Sequence, residues 1–295
     1  MTKDLRADRV SANIANESVA GIAMDVTELE TVDSTNSWCL RRCETGKALP
    51  FVCFAQEQTS GRGRRGKQWH MAACSNIAMS VAWPFATSDR SLPLLPLSIA
   101  LAIAETLEAL NLKQVQIKWP NDVYVKGVKI AGILIETQPV KNRQNNNDEK
   151  QLAVVIGIGL NYDMSLFDRT PLNKLPDDSL MFTDICEQVI SQEVPVKPTQ
   201  GYVASLLQKK VVAVCQNYPR NLKQDLNKFR ARYDYCKNKN VEIILDNKEA
   251  LSGVAQGVND RAELLVLIGG EQRVFNSAEV SVKPAEVVSK MKGQS

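Results

Sequence analysis

Across residues 94–110 the apolar positions recur at helical spacing. Leu94, Leu97, Leu101, Ala104 and Leu107 share one face, and Leu95, Ile99 and Ile103 widen it. Pro93 and Pro96 fall near the start, where a missing N–H is tolerated, so the pattern predicts a helix packed into a core. The segments 22–29, 51–55, 76–83, 128–136 and 152–156 instead alternate or run apolar over short lengths, and read as strands. A further short strand closes at Lys118 and Trp119, and Lys126-Gly127 predicts a hairpin turn. Amphipathic helices are expected at 180–191 and 202–217, with a shorter one over 221–229. The period then changes. Apolar runs at 241–245, 251–258, 264–268, 272–275 and 280–282, separated by Asn247, Asn259-Asp260 and Gly269-Gly270, predict a compact all-β unit, most simply a small barrel.

Composition supports this layout. A chain of 295 residues with 44% hydrophobic content can form one large domain, or a catalytic domain with a smaller companion. The expected division is a tail at 1–21, a catalytic domain at 22–236 and a β domain at 237–290. Residues 137–151 form a polar insertion with no assigned chemistry. The seven cysteines are odd in number and include no Cys-x-x-Cys pair, so reduced thiols are expected rather than a disulfide framework. His70 is the single histidine, which argues against a histidine-rich zinc site or a serine–histidine machine. No apolar run reaches membrane-spanning length and the N-terminus lacks a signal-peptide core, so the cytoplasm is the expected compartment.

The formal charge is only +3, yet four cations crowd into one stretch, Gln58-Thr59-Ser60-Gly61-Arg62-Gly63-Arg64-Arg65-Gly66-Lys67-Gln68-Trp69. Glycine permits close approach and unusual backbone angles, so such a loop can turn its N–H groups about an anion while arginines add charge-assisted donors. The plain alternative is a solvated basic hairpin. The spacing is neither a P-loop nor a dinucleotide fingerprint, because no Gly-Lys-Ser/Thr closes it and no helix-forming run follows. A second dense motif, Lys118-Trp119-Pro120-Asn121-Asp122, lies one hairpin away from Lys129. Gly157-Ile158-Gly159-Leu160-Asn161 offers either close backbone approach to a ligand or a strand bulge with a turn asparagine. Ser34 and Thr35 are candidate helix caps or ligand-binding hydroxyls. Arg62, Arg64, Lys118 and Lys129 together could bind a carboxylate and stabilise charge on a transferring phosphoryl group, which points to nucleotide or phosphate handling.

With these motifs in order, the chain resembles the biotin protein ligase family over nearly all of residues 22–283. The resemblance is carried by Asp33-Ser34-Thr35-Asn36, the basic loop with Trp69, Lys118–Asp122, Lys129-x-Ala131-Gly132-Ile133-Leu134-x-Glu136 and Gly157-x-Gly159-x-Asn161. It implies an α+β fold: a mixed-sheet biotin/lipoate protein ligase catalytic domain with a small C-terminal SH3-like β-barrel. It implies two steps, formation of biotinyl-5′-AMP from biotin and ATP, then transfer to a lysine of a biotin carboxyl carrier protein. By that resemblance Arg64, Lys118 and Lys129 act in catalysis. Ser34, Thr35, Asn36 and Gln58 hold biotin, and Gly61, Arg62, Gly63 and Arg64 enclose the carboxylate and phosphate as a lid. Trp69 walls the adenine pocket, Asn121 and Asn161 read the adenine edge, and Gly132 and Gly159 line the ligand; Asp122 helps place ATP-bound Mg²⁺. The family's regulatory members carry an N-terminal DNA-binding domain, and with about 21 residues before the catalytic region transcriptional repression is not expected. Ala262 stands where a turn glycine is common, and Lys283 where an arginine is common. The resemblance permits a homodimer through an exposed sheet edge. A lipoate–protein ligase is the nearest alternative. A nucleic-acid-binding module is weaker, because no broad basic stripe or series of aromatic readers is present.

Overall fold

The computed structural model describes residues 21–22, 24–140, 151–167, 181–246, 249–277 and 280–284. The expectations for most of the N-terminal tail, for residues 141–150 of the polar insertion and for Asn247 lie outside these residues. Seven strands form one mixed sheet in the order β1 (Asp25–Val32), β2 (Phe51–Gln58), β3 (Asn76–Ala86), β7 (Gln151–Asn161), β6 (Val128–Pro139), β5 (Asp122–Val125), β4 (Val115–Lys118). β1 runs parallel to β2, and every other neighbouring pair is antiparallel. The Lys126-Gly127 turn joins β5 to β6 with positive φ at both residues, as a tight hairpin of this twist requires. The first strand lies three residues later than 22–29. It is an edge strand with mostly half-buried residues, so its place is set by the β2 partner rather than by its own apolar content.

Strand alternation separates a core face from a site face. Val52, Phe54, Ile77, Met79, Val81, Ile156, Ile158 and Ile133 turn toward helix α2 (Leu95–Ala109), which α4 (Gln200–Asn217) backs. The residues between them, such as Phe51, Cys53, Ala82 and Val155, pack a smaller cluster with Cys39 and Cys43 of helix α1 (Thr35–Glu44). The stretch Leu92–Ala109, which includes α2, is long and apolar enough to cross a membrane by length and composition, contrary to the sequence expectation. However, 61% of it is buried inside the fold, so its apolar character is accounted for by the core. α3 (Ile185–Ser191) and α5 (Leu222–Lys228) complete the helices, and Phe229–Tyr233 continues α5 as a π-helical turn. All seven cysteines are free.

The C-terminal unit departs from the expected barrel. Its five antiparallel strands, β8 (Asn240–Leu245), β9 (Ala250–Val258), β10 (Leu264–Ile268), β11 (Glu271–Phe275) and β12 (Val280–Pro284), form an open sheet in the order β11-β10-β9-β8-β12. A barrel needs β11 hydrogen-bonded to β12, and among the described residues no ladder joins them. β11 instead exposes Glu271, Gln272, Arg273 and Val274, whereas Val280 and Val282 of β12 face a cavity of the larger unit. Alternation and turn spacing predict the strands correctly, but they do not specify whether the two end strands meet.

Candidate active site

One cavity of about 260 Å³ opens on the site face of the large sheet, and most of the motifs converge on it. α1 enters at one end. Ser34 is its N-cap by backbone shape but makes no side-chain cap bond, and Asp33 pairs with Arg41 instead. The first-turn donor of Thr35 is satisfied from across the fold: its N–H donates to Gln58 Oε1 at 2.9 Å, and its hydroxyl donates to the same oxygen at 3.1 Å. Ser80 Oγ lies 2.7 Å from both Thr35 Oγ1 and Asn36 Oδ1. Asn36 Nδ2 donates to Glu136 Oε2 at 2.9 Å and to Leu134 O at 3.2 Å. Ser34, Thr35, Asn36 and Ser80 are all buried, so this end is a compact, largely satisfied polar wall. Ser80 and the role of Glu136 were not anticipated. A polar side chain on the buried face of the apolar strand β3 was the available signal for Ser80.

The basic loop crosses between β2 and β3 as a small hairpin. Trp69 N–H donates to Gly61 O at 2.9 Å, and Gly63 N–H donates to Lys67 O at 2.7 Å. The Gly63 amide is therefore committed within the loop. The loop is tied down on two sides. Arg62 reaches Glu136 at 2.6 Å. Arg64 donates to Asn121 Oδ1 at 3.1 Å and to Ser277 O, and Arg65 pairs with Asp246. The last two contacts come from the C-terminal unit.

Arg62, Arg64, Arg65, Lys67, Lys118, Lys129 and Lys283 line the cavity, against one carboxylate, Asp122, among its described lining residues. Arg62 stands at the Asn36 end, where both reach Glu136 Oε2, whereas Arg64, Lys118 and Lys129 gather about Asp122. The β4–β5–β6 hairpins place Lys118 opposite Asp122 and Asp122 opposite Gly132, and Lys129 Nζ lies 2.7 Å from Asp122 Oδ1. Burial works to raise the Asp122 pKa, but Lys129, Lys118 and Arg64 outweigh it and hold the carboxyl below its ordinary value. Burial lowers the Arg64 pKa, with Asp122 opposing this and Arg65 adding to it.

The glycines and asparagines of the site also make contacts within the protein that the sequence did not announce. A Cβ at Gly157 would strike the Asn36 amide, and one at Gly159 would strike the Trp69 indole. A Cβ at Gly132 would stand 3.2 Å from the same ring. These glycines make room for the protein's own site side chains, which then line the cavity. Trp69 lies over β6 and β7, Lys129 Nζ sits 5.7 Å from its ring centroid, and its buried Nε1 has no hydrogen-bond partner among the described residues. Asn121 is a bracket: Nδ2 donates to Ile133 O at 2.9 Å while Oδ1 accepts from Arg64. Asn161 is buried, accepts from Asn76 Nδ2 at 2.7 Å and donates to Thr183 O at 2.9 Å. Both asparagines line the cavity with part of their hydrogen-bonding capacity already used. Met164, Phe167, Met181 and Phe182 add an apolar wall that the sequence did not single out. Among the described residues no group of three His, Cys, Asp or Glu side chains could hold a metal ion.

Comparison with known proteins gives matching family models for both parts of the chain. Residues 28–161 match the biotin/lipoate A/B protein ligase family, and residues 238–283 match the biotin protein ligase C-terminal domain. The chain is 28% identical over 264 residues to the bifunctional ligase/repressor BirA of Escherichia coli strain K12, covering 88% of this chain and 75% of that protein. It is 27% identical over 261 residues to the biotin–[acetyl-CoA-carboxylase] ligase of Mycobacterium tuberculosis strain H37Rv, covering 84% and 85%. The fold is also that of a biotin protein ligase from Aquifex aeolicus solved with biotin and ATP. The TM-score is 0.67 at 21% identity, with 88% of this chain and 99% of that chain covered.

Proposed function

This chain belongs to the biotin protein ligase family, and on that premise we propose how its own residues divide the work of the family's two-step reaction. The enzyme activates biotin with ATP and transfers it to a lysine of a carrier protein. In the first step a carboxylate oxygen of biotin attacks the α-phosphorus of ATP, forming biotinyl-5′-AMP and expelling pyrophosphate. In the second, the lysine amine attacks the acyl carbon, an amide forms, and AMP leaves with the acyl–oxygen bond electrons.

The observation that carries the assignment is a polar wall and a cluster of cations meeting in one cavity. Ser34, Thr35, Asn36 and Gln58 form a hydrogen-bonding wall, backed by Ser80, suited to the ureido ring of biotin. Arg64, Lys118 and Lys129 gather about Asp122, where a carboxylate would meet a triphosphate. Arg64, Lys118 and Lys129 stabilise the charge that develops there. Gly61, Arg62 and Gly63 carry the hairpin that covers the mixed anhydride and shields it from water. Trp69 walls the nucleotide side, and Asn121 and Asn161 direct their remaining capacity to the adenine. Mg²⁺ enters with ATP as part of the substrate. Asp122, paired with Lys129 through Oδ1 at 2.7 Å, is the cavity carboxylate that would help place that ion. The acceptor is the biotin carboxyl carrier domain of a biotin-dependent carboxylase. Seven free thiols fit a reducing compartment, the cytoplasm.

Biotin-dependent exchange of labelled pyrophosphate into ATP tests the first step. Exchange with biotin and none with lipoate is the expected result; exchange with lipoate alone would transfer the chain to the lipoate branch.

A further inference from the structure

We propose that Tyr124 is a positioning residue for Lys118, holding its ammonium against an aromatic ring so that its charge is directed to the transferring phosphoryl group. The proposal rests on the reading of Lys118 given above. The two lysines that gather about Asp122 are held differently. Lys129 is paired with Asp122. Lys118 has no hydrogen-bond or ion-pair partner among the described residues, and its Nζ lies 5.7 Å from the Tyr124 ring centroid. Its four-carbon stem is flexible, so an unheld ammonium would sample many positions. A carboxylate would fix it but would also offset its charge. A ring face attracts the ammonium through its quadrupole and leaves the net positive charge intact.

Tyr124 is itself held firmly. It is buried, and it sits at a bulge in the β5–β6 ladder. Its ring stacks on Tyr235 at 4.9 Å with 22° between the planes. Tyr235 is in turn fixed by its backbone N–H, which donates to Ile117 O at 3.0 Å, and by Lys239, whose Nζ lies 3.8 Å from its ring centroid. A chain of contacts, Lys118–Tyr124–Tyr235–Lys239, thus runs from the cavity to the segment that leads into the C-terminal sheet. The competing reading is that Tyr124 merely fills core.

The test compares full-length wild type with Y124F, Y124L, K118M and the Y124L/K118M double variant in biotin-dependent pyrophosphate exchange. Y124L is expected to lower kcat by about 2- to 30-fold, with the KM for biotin little changed, and Y124F to recover most of that loss. In the K118M background Y124L should add nothing further. A full additional loss in that background, or an equal loss in Y124F, would overturn the proposal. A second readout is independent of activity. With ε-¹³C-lysine labelling, the Lys118 ε-CH₂ resonance, identified by its disappearance in K118M, should be shifted by the ring in wild type and Y124F. A wild-type resonance at the position of a solvated lysine would overturn the proposal even if neither Tyr124 variant folds. Absence of wild-type exchange would count against the ligase reading, while the resonance still decides the contact.

Discussion

Of the seven cavity-lining cations, Lys129, Lys118 and Arg64 outweigh burial and hold the Asp122 carboxyl below its ordinary pKa. Its folded pKa is depressed, so its contribution to stability is present above the unfolded value and is lost as pH falls through the folded one. Asp122→Asn is therefore expected to melt below wild type at neutral pH, with the gap closing below about pH 4. Thermal melts from pH 7 to 3 check this, and a gap that stays constant would contradict it. The cations carry the chemistry. Lys129→Ala removes a charge that is half of the Asp122 pair and lies near the Trp69 ring. It should reduce pyrophosphate formation by about 100- to 1000-fold at saturating biotin. A rate within a few-fold of wild type would mean that Lys129 serves only to neutralise Asp122. At this scale sequence located the charged groups well, since Lys118, Asp122 and Lys129 are adjacent through predictable hairpins. It did not show how the neutral ones are held. Asn121 and Asn161 have chemistry suited to an adenine edge, but the amide partners they use within the protein depend on which backbone carbonyls the fold brings near.

Among the elements, β7 shows how the strand period shapes the site. Its even positions, Ile156 and Ile158, enter the core, and Gly157 and Gly159 face the cavity side. Gly157 has to remain bare because the Asn36 amide occupies its Cβ position. Gly157→Ala should leave the strand folded but displace Asn36 from Ser80 and Glu136, raising the KM for biotin by at least about 10-fold with a smaller change for ATP. Equal KM values for both substrates in variant and wild type would sink this account. The glycines are conspicuous in the sequence, and their purpose is not. A glycine signals only that something comes close, and here it is the protein's own Asn36 and Trp69. The α2 helix was legible for the opposite reason: its periodicity is strong and its role ends at packing.

At the scale of the molecule, the C-terminal sheet takes part in the site. Arg64 and Arg65 both anchor on it, Val280, Val282 and Lys283 line the cavity, and Trp119 Nε1 donates to Ala262 O at 2.8 Å across the junction. Ala262 makes that last contact with φ of 52°, in the left-handed region that favours glycine. Ala262→Gly should therefore raise stability by about 0.5–1 kcal/mol, visible as an upward shift in Tm; a lower Tm would show that its buried methyl outweighs the backbone strain. The five strands of this sheet were readable from alternation and turns. Its open form was not, because closure depends on whether β11 and β12 meet, and no short-range pattern encodes that.

The central claim is that one cavity both makes the biotinyl adenylate and delivers its acyl group to a carrier lysine. Intact mass spectrometry of an apo biotin carboxyl carrier domain, incubated with the full-length protein, biotin and Mg-ATP, tests it most directly. A single biotin-sized gain is expected, one that requires all three additions and vanishes when the target lysine of the carrier is replaced. An unmodified carrier under these conditions, or a gain obtained with lipoate in place of biotin, would contradict it.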